Sequence, residues 1–324
     1  MATRDESAPL GRLRIGLASL LAPTTERDRS RRRIAALSAP FLALAAFGAF
    51  VPLATMVRMS TSASNFAIEG FTLAAYGELF TSILAAVPGS GVDANPVYGE
   101  VVWNSLWFGT ATTVASVAIG VAIAHGLEKY DLPRKGLLVT LISFPISLPG
   151  IVAAFMMIVW FGKTGLLTKV LTVFTGVSPN AVALTGQPSG TLLAITGLFF
   201  GYLYSMIPRA TFLLRGSYAE VNTDAEEAAR ALGATPWQTF RHVTLPQIRP
   251  GIVGALILTF RTALAIFGTV LVLKALSVVT FRFSQEISVG FDLQMASALA
   301  TVFFVFTVLF TFLSLRLTSA EVAG

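Results

Sequence analysis

The chain has 324 residues, of which 54% are hydrophobic and only 12% charged, with a mean hydropathy of +0.74. Ordinary soluble domains carry about 25% charged residues, so a chain of this length with so little charge is one solvated largely by lipid. It has no cysteine, which excludes disulfides, thiolate metal sites and cysteine nucleophiles. Its two histidines, His125 and His242, lack the spacing of metal ligands. The net charge of +6 marks a cytoplasmic membrane face rather than a nucleic-acid partner.

Residues 1–33 form a basic tail ending in "RDRSRRR" (Arg27 to Arg33), which reads as a topology anchor because it directly precedes an apolar run. That run, Ile34 to about Val57, is too long for a cleavable signal segment and long enough to span a bilayer. Further spans are predicted at 101–125, 136–160, 190–208, 251–273 and 293–315. The stretch 71–87 is short and carries Glu78, which predicts a surface helix in an outer loop, and "PGSGVDANP" beyond it is a turn-rich tip. The organisation is therefore a tail over 1–33 and one membrane domain over 34–324. With the N-terminus inside, 17 of the 23 Lys and Arg residues fall on inner segments and five on outer ones, with Arg261 inside a span. This asymmetry predicts an all-α, six-helix integral membrane fold with both termini inside.

None of these predicted spans contains Asp or Glu. Ion- and proton-coupled transporters carry intramembrane acids as relays, so a secondary transporter is the weaker alternative, and any uphill movement draws energy from elsewhere. "FGKTG" (Phe161 to Gly165) suggests a phosphate loop, but the required first glycine is replaced by Met157. The chain itself has no nucleotide site, no catalytic constellation and no metal or cofactor site.

The polar segment 223–250, between the fourth and fifth spans, is different in kind. Thr223 followed by Glu226 predicts a capping box, and Asp224, Glu226 and Glu227 suit the positive end of a helix dipole. Ala225, Ala228, Ala229 and Leu232 fall on one smooth face, and Gly233 ends the helix. A second helix starts at Thr235, with Pro236 at its first position and Gln238 closing a capping box. It presents Trp237 and Phe240 as exposed anchors and is stopped by Pro246, before Pro250-Gly251 leads into the fifth span. Two well-capped helices with apolar anchors are what a partner's groove accepts.

Glu227-Ala228-Ala229, three residues, Gly233, nine residues, then Val243-Thr244-Leu245-Pro246 resembles the EAA loop of binding-protein-dependent ABC importer permeases; only Val243 departs, for the family's Ile. "FPISLPGIVAAFMMIVWFGKTGLL" (Phe144 to Leu167) resembles the family's third-span pattern. "TFRTALAIFGTVLVL" (Thr259 to Leu273) resembles the fifth-span pattern of the sulfate, molybdate, polyamine and ferric-iron subgroup. The resemblance implies a type I importer permease bundle, similar to the methionine permease, in the bacterial inner membrane. It implies a cytoplasmic ATPase subunit that binds the ATP, a second permease subunit of the same or a sister chain, and a periplasmic substrate-binding protein. It further implies that Glu227, Ala228, Ala229 and Gly233 form the coupling core to the ATPase, with Trp237, Phe240, Leu245 and Pro246 beside them.

Two features bear on the pathway. Pro145 and Pro149-Gly150 interrupt the third span, either as a break lining the pathway or as a packing kink. Arg261 lies ten residues beyond Gly251, about 15 Å deep at the helical rise. It is either an anion-attracting pathway residue or a structural arginine bonded to freed carbonyls, such as those of the third span. Many subgroup members place Gly-Glu before Phe-Gly in the fifth span, where this chain has Ala265-Ile266 before Phe267-Gly268. An arginine without that acid leans towards an anionic or zwitterionic solute, such as an oxyanion or organophosphonate; polyamine and ferric iron are the alternatives. Gly197 and Gly201, and Gly251 and Ala255, are spaced as small-residue packing faces.

Overall fold

The computed structural model describes residues 26–322, and side chains in parts of the two terminal helices are outside that description. Most of the predicted tail, residues 1–25, therefore lies outside the described residues. Among the described residues six stretches are long and apolar enough to cross a bilayer. The chain divides into two units, one ending at Arg58 and one beginning at Met59. The first unit is most of helix α1 (Glu26–Ser60), whose first turns already include part of the expected tail. Its apolar side chains, Phe41, Phe47 and Phe50 among them, are exposed, as expected of a helix solvated by hydrocarbon.

The second unit starts with α2 (Ala74–Ala85), the predicted surface helix, and α3 (Val97–Lys129). There follow α4 (Lys135–Ser143) with a 3₁₀ turn (Phe144–Ser147), α5 (Gly150–Phe161), α6 (Leu166–Thr175) and the single turn α7 (Pro179–Val182). The long α8 (Leu192–Tyr218) leads to α9 (Thr223–Ala231) and α10 (Pro236–Thr239). A π-helical turn (Phe240–Thr244) joins α10 to α11 (Leu245–Ala265). The chain ends with α12 (Gly268–Leu273), α13 (Val279–Gln285) with a π turn (Glu286–Gly290), and α14 (Leu293–Val322).

Helices α3, α8 and α11 pack on one another along most of their length and form the centre of the unit. Lipid is as apolar as a leucine side chain, so close packing rather than water exclusion holds such helices together. Small residues sit at the crossings accordingly. A Cβ on Gly251 would overlap the Ser217 side chain, so the close approach of α8 and α11 at this level needs a residue without a side chain. We expect Gly251→Leu to part the two helices and to cost about 1–3 kcal/mol by overpacking. Thermal unfolding in detergent measures this loss, and Ser217→Gly in the same chain should recover part of it. Towards the opposite end of α8, Phe108, Leu198, Tyr202, Met206, Ala263 and Val270 form a core in which the Phe108 and Tyr202 rings meet edge to face at 5.0 Å.

Three predicted boundaries are corrected. The fourth span does not end at residue 208: Pro208 lies inside α8, which continues to Tyr218 and carries Arg209 and Arg215 within it. The third span is broken between Ser147 and Gly150, and the apolar stretch long enough to cross runs from Gly150 to Thr175 rather than over 136–160. The second helix of the polar loop is not stopped by Pro246. Proline lacks an N–H and its ring crowds the carbonyl four residues back; the π turn ahead of it widens the helix, and α10 passes through to α11 without a break. Helices α3 and α14 also outrun their predicted spans, and α3 takes in Glu100 and Glu128 at its two ends.

Candidate functional site

The polar loop folds as the predicted pair of short helices, with its caps partly reassigned. The first helix is capped by Asn222, not Thr223: the Asn222 Oδ1 accepts from the N–H groups of Asp224 and Ala225. Thr223 is already the first helical residue, so the Thr223–Glu226 box does not form. Gly233 ends the helix with φ +89°, a conformation that side chains with a Cβ rarely adopt. The second capping box is present as predicted: Gln238 N–H donates to the Thr235 Oγ1, and the Gln238 Oε1 accepts from the Thr235 N–H.

Glu226 is the anchor that sequence reasoning missed. It is 4% exposed, and its carboxylate accepts from the Lys129 Nζ at 2.6 Å and from the Thr244 Oγ1. One side chain thus ties α9 to the end of α3 and to the π turn leading into α11. Burial pushes its carboxyl pKa up, but the hydrogen bonds from Lys129 and Thr244 and the charges of Lys129 and Arg230 outweigh this and hold it below 4.5. A depressed carboxylate stabilises the fold fully above its unfolded pKa, and that contribution is lost only as pH falls through the lower folded value. The attachment is therefore intact at neutral pH. Beside it, Glu128 pairs with Arg215 of α8 and with Lys135 of α4. The Asn222 N–H donates to the Gln247 Oε1 of α11 at 2.9 Å.

The residues predicted to meet a partner are not all presented. Glu227, Ala228 and Gly233 are exposed, and Ala229 is half-buried. Trp237 is 65% exposed and Leu232 is 90% exposed, so Leu232 joins Trp237 as an outward apolar group. Phe240, expected as a second exposed anchor, is half-buried: its ring lies 4.9 Å from His125 of α3 and stacks on Trp237 at 5.6 Å. It supports Trp237 from beneath. Leu245 is half-buried and Pro246 exposed in the first turn of α11.

The pathway residues separate into two places. Pro149, Gly150 and Phe267 meet where two interrupted helices cross: Pro149 precedes α5, Phe267 precedes α12, and the Thr269 Oγ1 donates to the Gly150 carbonyl at 3.2 Å. The carbonyl of Ile266, freed by the break, accepts from the Tyr202 hydroxyl and the Thr280 Oγ1. Protein groups thus satisfy the Gly150 and Ile266 carbonyls at this crossing. Arg261 lies elsewhere, in a groove of about 450 Å³ lined by Ile146, Met206, Phe212, Leu258, Thr262 and by a second arginine, Arg209. Arg209 was expected on an inner segment. The Arg209 Nη1 donates within its own helix, to the Ser205 carbonyl at 2.7 Å and to the Ser205 Oγ.

A broken-helix membrane bundle with a capped helix pair on one end defines a class of transport permease. The family described as binding-protein-dependent transport system inner membrane component matches residues 116–320. The chain belongs to this family, the membrane-spanning components of ABC importers. It is 30% identical over 175 residues to the sulfate transport system permease protein CysW of Synechococcus elongatus, covering 54% of this chain and 57% of the relative. It is 26% identical over 209 residues to the spermidine/putrescine transport system permease protein PotB of Haemophilus influenzae, covering 64% and 65%. The chain thus spans less than two thirds of the length of these curated relatives. In three dimensions it is similar to a chain of a bacterial ABC transporter involved in the import of the acidic polysaccharide alginate. The TM-score is 0.73 at 14% identity, over 90% of this chain and 96% of that one, a likeness of fold.

Proposed function

We propose that the chain is a permease subunit of an ABC importer, with α9 and α10 docking onto a cytoplasmic ATPase subunit that binds and hydrolyses the ATP. The observation that carries this reading is an outward surface of Glu227, Ala228, Leu232, Gly233 and Trp237 on a helix pair fixed to α3 through Glu226 and Lys129. A docking element must be both accessible and stiff, and this one is both. The permease pairs with a second permease subunit, receives solute from a periplasmic binding protein, and has both termini in the cytoplasm. The solute is small and charged, leaning anionic or zwitterionic, because Arg261 stands in a helix long enough to cross a membrane and that helix contains no acid after Gly251.

Two measurements test this. The ATPase encoded beside the gene should co-purify with the wild-type chain, and Trp237→Ala should weaken that association at least about tenfold, the loss typical of a buried aromatic anchor, with thermal stability unchanged. Undiminished association of Trp237→Ala would contradict the docking assignment. Uptake of labelled sulfate, a phosphonate and spermidine by cells with and without the operon tests the solute class; transport of spermidine alone would reverse the anionic reading.

A further inference from the structure

We infer that the groove between α8 and α11 is a transit site for an oxyanion group, with Arg209 and Arg261 as its binding residues. The inference rests on the permease reading and adds to it the place, the second arginine and the chemical class.

Depth comes first. Ser217 of α8 and Gly251 of α11 are in contact, which sets a common level on the two helices. Arg209 lies eight residues before Ser217, and Arg261 ten residues after Gly251. At the helical rise these are about 12 Å and about 15 Å from that level, so the two guanidinium-bearing positions lie within about one turn of each other in depth.

The chemistry of the wall comes second. Arg261 is exposed and has no hydrogen bond or ion pair among the described residues. An arginine inside a membrane helix faces a water-filled cavity or a partner charge, because facing lipid costs several kcal/mol. The groove's lining includes no Asp or Glu to neutralise either arginine. Thr262 lies in the same wall with its hydroxyl donating to the Leu258 carbonyl, and the remaining wall of Ile146, Met206, Phe212 and Leu258 is apolar. Two planar, permanently charged donors in an apolar wall match a sulfate, sulfonate, phosphonate or carboxylate group and repel a polyamine.

The absence of cysteine makes the test direct. Thr262→Cys is introduced into the full chain, expressed with its operon partners, and labelled in membrane vesicles with methanethiosulfonate reagents. One reagent carries a sulfonate, the other a trimethylammonium. Labelling is normalised to that of a Thr175→Cys variant, Thr175 being an exposed residue of α6. We expect the anionic reagent to be favoured about tenfold, within the range by which a charged cleft concentrates counter-ions. We expect millimolar sulfate to slow that labelling, and Arg209→Gln with Arg261→Gln to abolish the preference. Failure of either reagent to label the Thr262→Cys chain, a preference for the cationic reagent, or an anionic preference untouched by sulfate and by loss of both arginines would overturn the site. The sulfate arm retains both arginines, so it decides the matter even if the double variant fails to fold. Loss of ATPase co-purification with the charge preference intact would instead overturn the permease reading and leave the site standing.

Discussion

Gly233→Val is expected to abolish ATPase association and solute uptake while leaving membrane insertion intact. No atom lies within 4 Å of the Cβ it would add, so the effect is one of backbone conformation, not of space. At φ +89° a β-branched residue is held where its side chain collides with its own backbone, at a cost of about 1–3 kcal/mol. Helix α9 has nine residues and is too short to persist alone in water. The strain therefore falls on the turn that sets α9 against α10. Gly233→Asn should keep much of the function, since asparagine tolerates positive φ. Pull-down of the ATPase and uptake in the same cells separate the two variants; normal uptake by Gly233→Val would remove this turn from the coupling element.

Glu226→Ala is expected to release the helix pair from the bundle. It leaves Lys129 with a side chain 10% exposed and no anionic partner, and removing one partner of a buried ion pair costs about 3–5 kcal/mol. The Thr244 hydroxyl loses its acceptor at the same time. Limited proteolysis should then cut within 219–236 faster than in the wild type, and uptake should fall more than tenfold. Glu227→Gln is the contrasting variant. Its side chain is exposed, so proteolytic resistance should be unchanged while ATPase association weakens. If both variants behaved alike, the distinct roles given to these adjacent glutamates would be wrong.

The two glutamates also show what the sequence could and could not disclose. Glu227 is legible because its neighbours fall at fixed spacing, and short-range spacing is what a sequence displays directly. Glu226 looked like one more acid at a helix N-terminus, because its partner Lys129 is 97 residues away and no local pattern joins them. The Asn222 cap was missed for a different reason: Asn and Thr are both good caps, and the choice is made by where the chain leaves α8. Membrane spans were legible as apolar length, but their ends were not. Pro246 reads as a terminator, yet a helix tolerates proline where neighbours or a π turn absorb the disturbance, as α8 does at Pro208. Arg209 was therefore assigned to the inner surface, and its place beside Arg261 emerged only when α8 was seen to continue.

The uninterrupted passage from α10 through the π turn into α11 has a mechanical consequence. Gly251, where α11 lies against Ser217 of α8, divides the rod into two unequal lengths. One reaches about 21 Å to Trp237 and the other about 15 Å to Arg261, at the helical rise. Because α11 is packed on both α3 and α8 and the Trp237 end is tied to α3 through Glu226 and Lys129, a push on the tryptophan end is passed to the centre of the bundle rather than lost in a hinge. A partner bound at Trp237 would therefore act on the wall that carries Arg261 through one continuous length of helix.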